Sequence, residues 1–317
     1  MSTASLERAA QLLTGLAEVD APFGALTTCR VGGPARLLVR ARSREDLARV
    51  AEAVAASGVA VLVLGRGSNL LVADAGFDGL VVILGEEFAE ITTDGTVVEA
   101  GGSTLLPVLA RRTAAAGLTG LEWAVGVPGS VGGAIRMNAG GHGSDVAASL
   151  IDVDLVDLRS GGQRRVVAAS LGLRFRGSDL GDTDLVVSAR FRLRSGDVST
   201  SEREIGEIVR WRREHQPGGQ NAGSVFVNPI PGSLAAGQII DELGLRGFAI
   251  GSATVSEKHA NFIQSAEGGS ADDVRAVMEA VRERVFSERG ILLRSEIRLV
   301  GFGDEPEPRR AIEAGHD

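Results

Sequence analysis

The chain keeps one lysine, Lys258, and five asparagines, Asn69, Asn138, Asn221, Asn228 and Asn261, each in or beside a short motif of glycine, serine or histidine. Arginine supplies every other permanent cation and tyrosine is absent, so these retained exceptions mark positions where a particular donor matters. Lys258, His259 and Asn261 fall within SEKHANFI and make a compact donor set suited to phosphates or carboxylates. For His259 alone a buried structural histidine is the better reading, and asparagine also favours turns, where its amide bonds its own backbone. That preference does not account for Lys258.

Two glycine-rich segments could hold an anion. GRGSNLLV, residues 65–72, directly follows the strand-like VAVLVL. It lacks the third glycine of a dinucleotide fingerprint, Leu70 standing in that place, and leads into the turn ADAGFDG instead of a helix, which argues against that fold. Gly65, Gly67, Ser68 and Asn69 suit a loop whose backbone N–H groups wrap an anion. AVGVPGSVGGAIRMNAGGHG, residues 124–143, sets six glycines before His142, which permits close backbone approach to a ligand. A floppy surface loop would waste Val125, Val127, Val131, Ile135 and Met137 in solvent. Two such loops in one α/β region fit a large ligand carrying a diphosphate, and a flavin dinucleotide meets that description.

A further candidate is Ser224 in NAGSVFVNP, residues 221–229, which follows a glycine and precedes a strand-like VFV that would hold its hydroxyl at a defined point. No histidine lies nearby in sequence to activate it, and a turn serine fits equally well.

The elements that must position these groups read as two blocks. In the first, Ser43 and Asp46 form a capping box ahead of a helix with Leu47, Val50 and Val54 on one face. Buried-strand runs VAVLVLG and GLVVIL, a hairpin signal at Asp94-Gly95 and a helix over STLLPVLARRTAAAG complete alternating α/β material. From Ile151 the pattern changes to strand pairs, and the polar SGDVSTS supplies a domain boundary near residue 197. Beyond it we read helices over EREIGEIVRWRREH, LAAGQIIDELG and ADDVRAVMEAVRERVFSERG and a last strand ILLRSEIRLVG. The expected organisation is an N-terminal helix over 1–21, a first domain over 22–197, a second, smaller α+β domain over 198–302 and an acidic disordered tail over 303–317.

With 317 residues, 44% hydrophobic and 23% charged, the chain is long enough to bury two cores. A net charge of −8 argues against a nucleic-acid partner, which requires a basic face. The single Cys29 forms no internal disulfide and lies in no metal-ligand spacing, which suits a reducing cytosol and gives no metal site. The N-terminal stretch lacks a basic head and is broken by Glu7, Arg8 and Gln11, so it reads as an amphipathic helix and not a signal peptide, and no apolar run reaches the ~20 residues of a membrane span.

Taken together, the four motifs closely resemble the UDP-N-acetylenolpyruvoylglucosamine reductases, the MurB-type UDP-N-acetylmuramate dehydrogenases. The match runs from TTCRVGGPA at residue 27 to RSEIRLVG ending at residue 301. The resemblance implies an FAD domain of the vanillyl-alcohol-oxidase (PCMH) type followed by a substrate domain, in a cytoplasmic enzyme of peptidoglycan-precursor synthesis. NADPH would reduce a non-covalently bound FAD, which would then reduce the enolpyruvyl group of UDP-N-acetylglucosamine enolpyruvate. No nucleic acid or membrane partner is implied, and a monomer is favoured.

Carried over by motif, Arg176 of LRFRGSDL, Ser224 and Glu296 of LLRSEIRLVG would be catalytic. FAD contacts would come from Gly65, Gly67, Ser68, Asn69 and Leu70, and from Gly126, Pro128, Gly129, Ser130, Gly132, Gly133 and Asn138. Asn228, Lys258, His259 and Asn261 would face the UDP-sugar. From the residues alone, Glu296 reads as a solvated strand position beside Arg294 and Arg298, and Arg176 as a surface arginine among Arg174 and Arg190. Phe175, Val227 and Gln264 depart from the family's usual tyrosine, basic residue and asparagine. The absence of tyrosine excludes the branch that closes a tyrosine-bearing loop over the diphosphate, leaving the shorter, type II form. Another FAD oxidoreductase on the same scaffold, for which covalent attachment at His142 would speak, and a non-catalytic flavin- or UDP-sugar-binding homologue are the competing readings.

Overall fold

The computed structural model describes residues 3–230 and 233–303. The first sheet has the order Ala17–Ala21, Ala35–Ala41, Phe77–Leu84, Val61–Leu64; its last three strands run parallel and the first is an antiparallel edge. The parallel strands are near-continuous apolar runs, as burial on both faces requires. Helix Arg44–Ser57 covers one face with Leu47, Val50 and Val54. Ser43 Oγ accepts from the Asp46 N–H at 3.1 Å as the capping box requires, but the returning carboxylate takes the Arg42 N–H instead of that of Ser43.

The expected N-terminal helix is shorter than 1–21. It spans Thr3–Leu12 and packs against helix Arg44–Ser57, and the chain then turns at Gly15, at φ +76°, into the edge strand Ala17–Ala21. The acidic tail expected over 303–317 lies, from residue 304 onward, outside the described residues.

The second sheet is antiparallel, with the order Gln163–Val167, Leu150–Asp157, Asp184–Arg192, Val97–Gly101, Ile91–Asp94. The Asp94-Gly95 signal is borne out: the last two strands pair Asp94 with Val97 around Gly95 at φ +58°. Val156, Leu158, Leu185 and Val187 of this sheet join the core beneath the first sheet, while its other face packs against helices Leu106–Ala115, Val131–Arg136 and Val198–His215.

That last helix corrects the boundary expected near residue 197. SGDVSTS is a helix start and not a linker: Asp197 accepts from the Thr200 N–H at 2.8 Å, and Ile205 and Ile208 of the helix bury into the first block's core. The chain leaves that core only after His215. Beyond it lies a small antiparallel sheet in the order Gln220–Asn221, Ile263–Ser265, Ala253–Val255, Ala249–Ile250, backed by helices Ala236–Glu242 and Ala271–Arg289. The two blocks interlock. Strand Arg298–Val300 returns to pair in parallel with Leu70–Val72, and Cys29, Val31 and Leu71 contribute to the second block's core.

Candidate active site

The two glycine-rich loops meet. Gly65 sits so close to Ser130 that a Cβ at Gly65 would lie 2.6 Å from Ser130 Oγ, and a Cβ at Gly129 would lie 3.7 Å from Ser68 Oγ. Together with the edges of both sheets they wall a cavity of about 890 Å³, within the range of small-molecule and cofactor sites. Gly65, Ser130, Gly132 and Gly133 line it as expected. So do Arg40, Arg42, Arg66, Arg136 and Arg298, donors for an anion that share the wall with Glu86, Glu87, Asp182 and Asp184. Thr104 also lines it, and its Oγ1, buried from solvent, has no hydrogen-bond partner among the described residues.

Away from the cavity lining the chain gathers Arg176, Ser224 and Glu296, which are far apart in sequence. Arg176 occupies the corner of the tight turn Arg174–Gly177 at φ +56°, a strained conformation for a side-chain-bearing residue. Its Nε donates to Glu296 Oε1 at 2.6 Å and its Nη1 to the Gly140 carbonyl at 3.2 Å. Burial pushes the Glu296 carboxyl above its ordinary pKa, and the Arg176 charge opposes that rise without cancelling it. Ser224 stands beside Glu296, because the next residue's carbonyl, that of Val225, accepts from the Glu296 N–H at 2.7 Å. Among the described residues the Ser224 hydroxyl has no hydrogen-bond partner, which leaves it available to a bound molecule.

Arg298 follows Glu296 by two residues and lines the cavity. Its guanidinium bonds Asp182 Oδ1 at 3.0 Å, and Arg136 bonds the same oxygen at 2.8 Å.

Sequence comparison names the architecture. The model of the UDP-N-acetylenolpyruvoylglucosamine reductase C-terminal domain matches residues 215–300, and that of the FAD binding domain matches residues 35–166. The UDP-N-acetylenolpyruvoylglucosamine reductase of Heliobacterium modesticaldum is 45% identical, covering 88% of this chain and 89% of its own, and that of Gloeobacter violaceus is 43% identical, covering 88% and 94%. The chain belongs to the UDP-N-acetylenolpyruvoylglucosamine reductase family. The crystal structure of the Thermus caldophilus enzyme superposes with a TM-score of 0.77 at 34% identity, over 90% of this chain and 98% of that one.

The first block is accordingly an FAD-binding domain of the PCMH type, and the enzyme is an FAD-containing oxidoreductase. Its residues fit that cofactor: the cavity has the required size, the Gly65 backbone lies where any side chain would obstruct, and Thr104 and the arginines offer donors. His142, at which covalent attachment would have pointed to another flavoenzyme, is not among the lining residues; its ring packs edge-on against Trp211 at 5.1 Å.

Among reductase-family expectations, the asparagines are where the structure departs. Asn138 was expected to touch FAD, yet it is buried: its Nδ2 donates to the Arg174 carbonyl at 3.3 Å and to Asp145 Oδ2, and its Oδ1 accepts from the Ala147 N–H. It therefore holds the turn that carries Arg176. Asn261 was expected to face the UDP-sugar and is buried too. Its Oδ1 accepts from the Phe226 N–H at 2.9 Å and its Nδ2 donates to the Phe226 carbonyl at 2.8 Å, pinning the strand that follows Ser224. Asn69 Nδ2 donates to the Glu296 carbonyl at 3.2 Å, and Leu70 is spent in the strand pair with Arg298. Asn228 Oδ1 accepts from the Ala236 N–H and so starts helix Ala236–Glu242.

Each buried amide thus fixes backbone next to one member of the trio. Gly126, Pro128 and Gly129 lie off the cavity lining, with Gly126 packed against Ile208 and His142. Gly67, at φ +60°, turns its loop tightly against Thr27 and also lies off the lining. Lys258 is exposed and donates to the Arg213 carbonyl, while burial and the nearby Arg246 charge hold the His259 ring below its ordinary pKa.

Arg136, Thr104, Asp182 and Arg298 were not foreseen from the sequence. The run GGST at residues 101–104 is the one signal that could have flagged Thr104; nothing in the spacing of Asp182 marks it.

Proposed function

We propose that this enzyme reduces the enolpyruvyl group of UDP-N-acetylglucosamine enolpyruvate to UDP-N-acetylmuramate, with NADPH as hydride donor, in cytoplasmic synthesis of a peptidoglycan precursor. FAD held in the cavity would supply the hydride chemistry that links NADPH to the methylene carbon of the enolpyruvyl group. The negative charge left beside that carbon spreads into the substrate carboxylate. Arg176, always protonated and held by Glu296 and Gly140, would stabilise that charge. Ser224, one residue before the Val225 carbonyl that holds Glu296, would deliver the proton, a role that depends on the neighbouring charges because a serine hydroxyl is a weak acid in water. Lys258 and His259 offer donors to the UDP diphosphate, and the enzyme acts as a monomer.

The observation that carries this reading is the Arg176–Glu296 pair, with the Glu296 N–H bonded to the carbonyl of the residue after Ser224. Anaerobic stopped-flow absorbance at the flavin band tests it. NADPH should bleach the band, and UDP-N-acetylglucosamine enolpyruvate should restore it. Bleaching without recovery would keep the flavoprotein and reject this acceptor.

A further inference from the structure

Beside the catalytic candidates lies a group of rings that the reaction above does not use. Trp211, on helix Val198–His215, is 44% exposed although it is the largest apolar side chain on that helix. His215 stacks on it with ring centroids 4.8 Å apart and planes inclined by 14°, and His142 meets it at 5.1 Å and 90°, so the three rings form an L-shaped corner. The corner is fixed from two sides. His215 Nδ1 bonds the Trp211 carbonyl at 2.8 Å, and His142 sits in the hairpin whose Gly140 carbonyl receives Arg176.

Cations frame this corner. Arg212 lies close enough to His142 for its charge to depress that imidazole, and Lys258 reaches the helix at the Arg213 carbonyl from the substrate domain. The chain has only two tryptophans, and the other, Trp123, is buried in the core. A rigid aromatic corner open to solvent, bordered by cations and continuous through His142 and Gly140 with Arg176, has the chemistry of a nucleotide subsite: a π-face for the base and positive charge for the adjoining diphosphate.

We propose that Trp211, braced by His215 and His142, forms the base-stacking ledge for a nucleoside diphosphate, and that its occupant is the uracil of the UDP-sugar. This rests on the substrate reading given above. The ledge places the base on the FAD-domain side of the cleft while Lys258, from the substrate domain, stands at the diphosphate, so one ligand spans both domains next to Arg176. Trp211 is then a specificity residue for the nucleotide and takes no part in hydride or proton transfer.

Calorimetric titration of the oxidised, FAD-loaded enzyme with UDP, pyrophosphate and NADP+ separates base from phosphate and one nucleotide from the other. Trp211→Leu should weaken UDP about tenfold or more, the scale of one lost base–aromatic stack, and leave pyrophosphate unchanged. Trp211→Phe should retain most of the UDP affinity. In fluorescence, UDP should quench the indole emission of the wild type and of Trp123→Phe, but produce no such change in Trp211→Phe. UDP affinity within about twofold of wild type in a Trp211→Leu protein with a normal flavin spectrum would overturn the ledge, as would equal losses for UDP and pyrophosphate, or a loss confined to NADP+. His215→Ala, which strips the brace and leaves the indole, should weaken UDP in the same direction, and does so independently of whether the leucine variant folds. Normal UDP binding with no recovery of the flavin band in the wild-type stopped-flow experiment would reject the reductive step and leave the ledge standing.

Discussion

Arg176 and Glu296 lie 120 positions apart and are joined by an Nε–H···Oε1 bond of 2.6 Å, so the FAD domain and the segment leading into strand Arg298–Val300 share one ion pair. The pair is only part-exposed, with the arginine side chain at 30% and the carboxylate at 15%, and it leaves the rest of the guanidinium fork free of any carboxylate. Arg176→Lys keeps the charge and loses the planar fork. Reoxidation of the reduced flavin by the enolpyruvyl sugar should slow about 100-fold or more, as when one preorganised donor to a developing oxyanion is removed. Reduction by NADPH should be nearly unaffected, and rapid-mixing absorbance resolves the two phases.

Burial raises the Glu296 pKa, which makes a stability prediction with a definite sign. The folded protein binds this proton more tightly than the unfolded chain does. The stability it contributes is therefore complete below the ordinary glutamate pKa of about 4.3 and is lost as pH rises from there through the raised folded value. Glu296→Gln does not titrate. Melting temperatures of the two proteins measured across this interval should show the wild type losing ground steadily to the glutamine variant as pH rises; a constant difference would mean that the carboxyl is not shifted upward.

Asn261 tests the idea that buried amides hold the trio in place. Asn261→Ala leaves both the N–H and the carbonyl of the buried Phe226 without their partner. Urea unfolding should show a loss of about 2–4 kcal/mol, the cost of leaving buried polar groups unsatisfied. The same variant should slow flavin reoxidation, because the segment carrying Ser224 loses its anchor.

Much of this fold was legible in sequence because periodicity and caps are local. The helix over residues 271–289, the Ser43 start and the Asp94-Gly95 hairpin each follow from neighbours a few residues apart. Of the glycine loops the sequence singled out, Gly65, Gly132 and Gly133 line the cavity, and Arg176 and Glu296, named through family resemblance, form one ion pair. Asparagine roles were not legible. A buried amide that clamps backbone and an exposed amide that meets a ligand look the same in a motif, and only the long-range pairing of residue 261 with 226, or of 69 with 296, distinguishes them. The boundary near residue 197 misled for a related reason: a polar stretch reads alike as a linker and as a helix start until Ile205 and Ile208 are seen to bury in the first core.

Ser224 carries the sharpest kinetic prediction. Ser224→Ala removes a hydroxyl that bonds nothing among the described residues, so neither folding nor FAD binding should change measurably. NADPH should still bleach the flavin at the wild-type rate, while reoxidation by the enolpyruvyl sugar should fall by a factor of about 10² or more, the scale of a lost general acid. Reoxidation at the normal rate would remove this serine from the proton-transfer step.

Thr104 gives a test of the cofactor cavity that does not depend on turnover. Thr104 lines the cavity and its Oγ1, buried from solvent, has no partner among the described residues, so in the absence of cofactor it is an unsatisfied polar group that costs stability. Thr104→Val keeps the shape and removes the hydroxyl. The apoprotein should therefore be as stable as wild type or slightly more so, whereas FAD affinity should fall roughly 5- to 30-fold, the equivalent of about 1–2 kcal/mol for one hydrogen bond in a desolvated site. Titrating apoprotein with FAD by flavin fluorescence, alongside thermal melts of the apo forms, measures both quantities. Opposite signs for the two effects are the mark of a hydroxyl reserved for the cofactor. A loss of apoprotein stability with unchanged FAD affinity would instead give Thr104 a purely structural place in the wall.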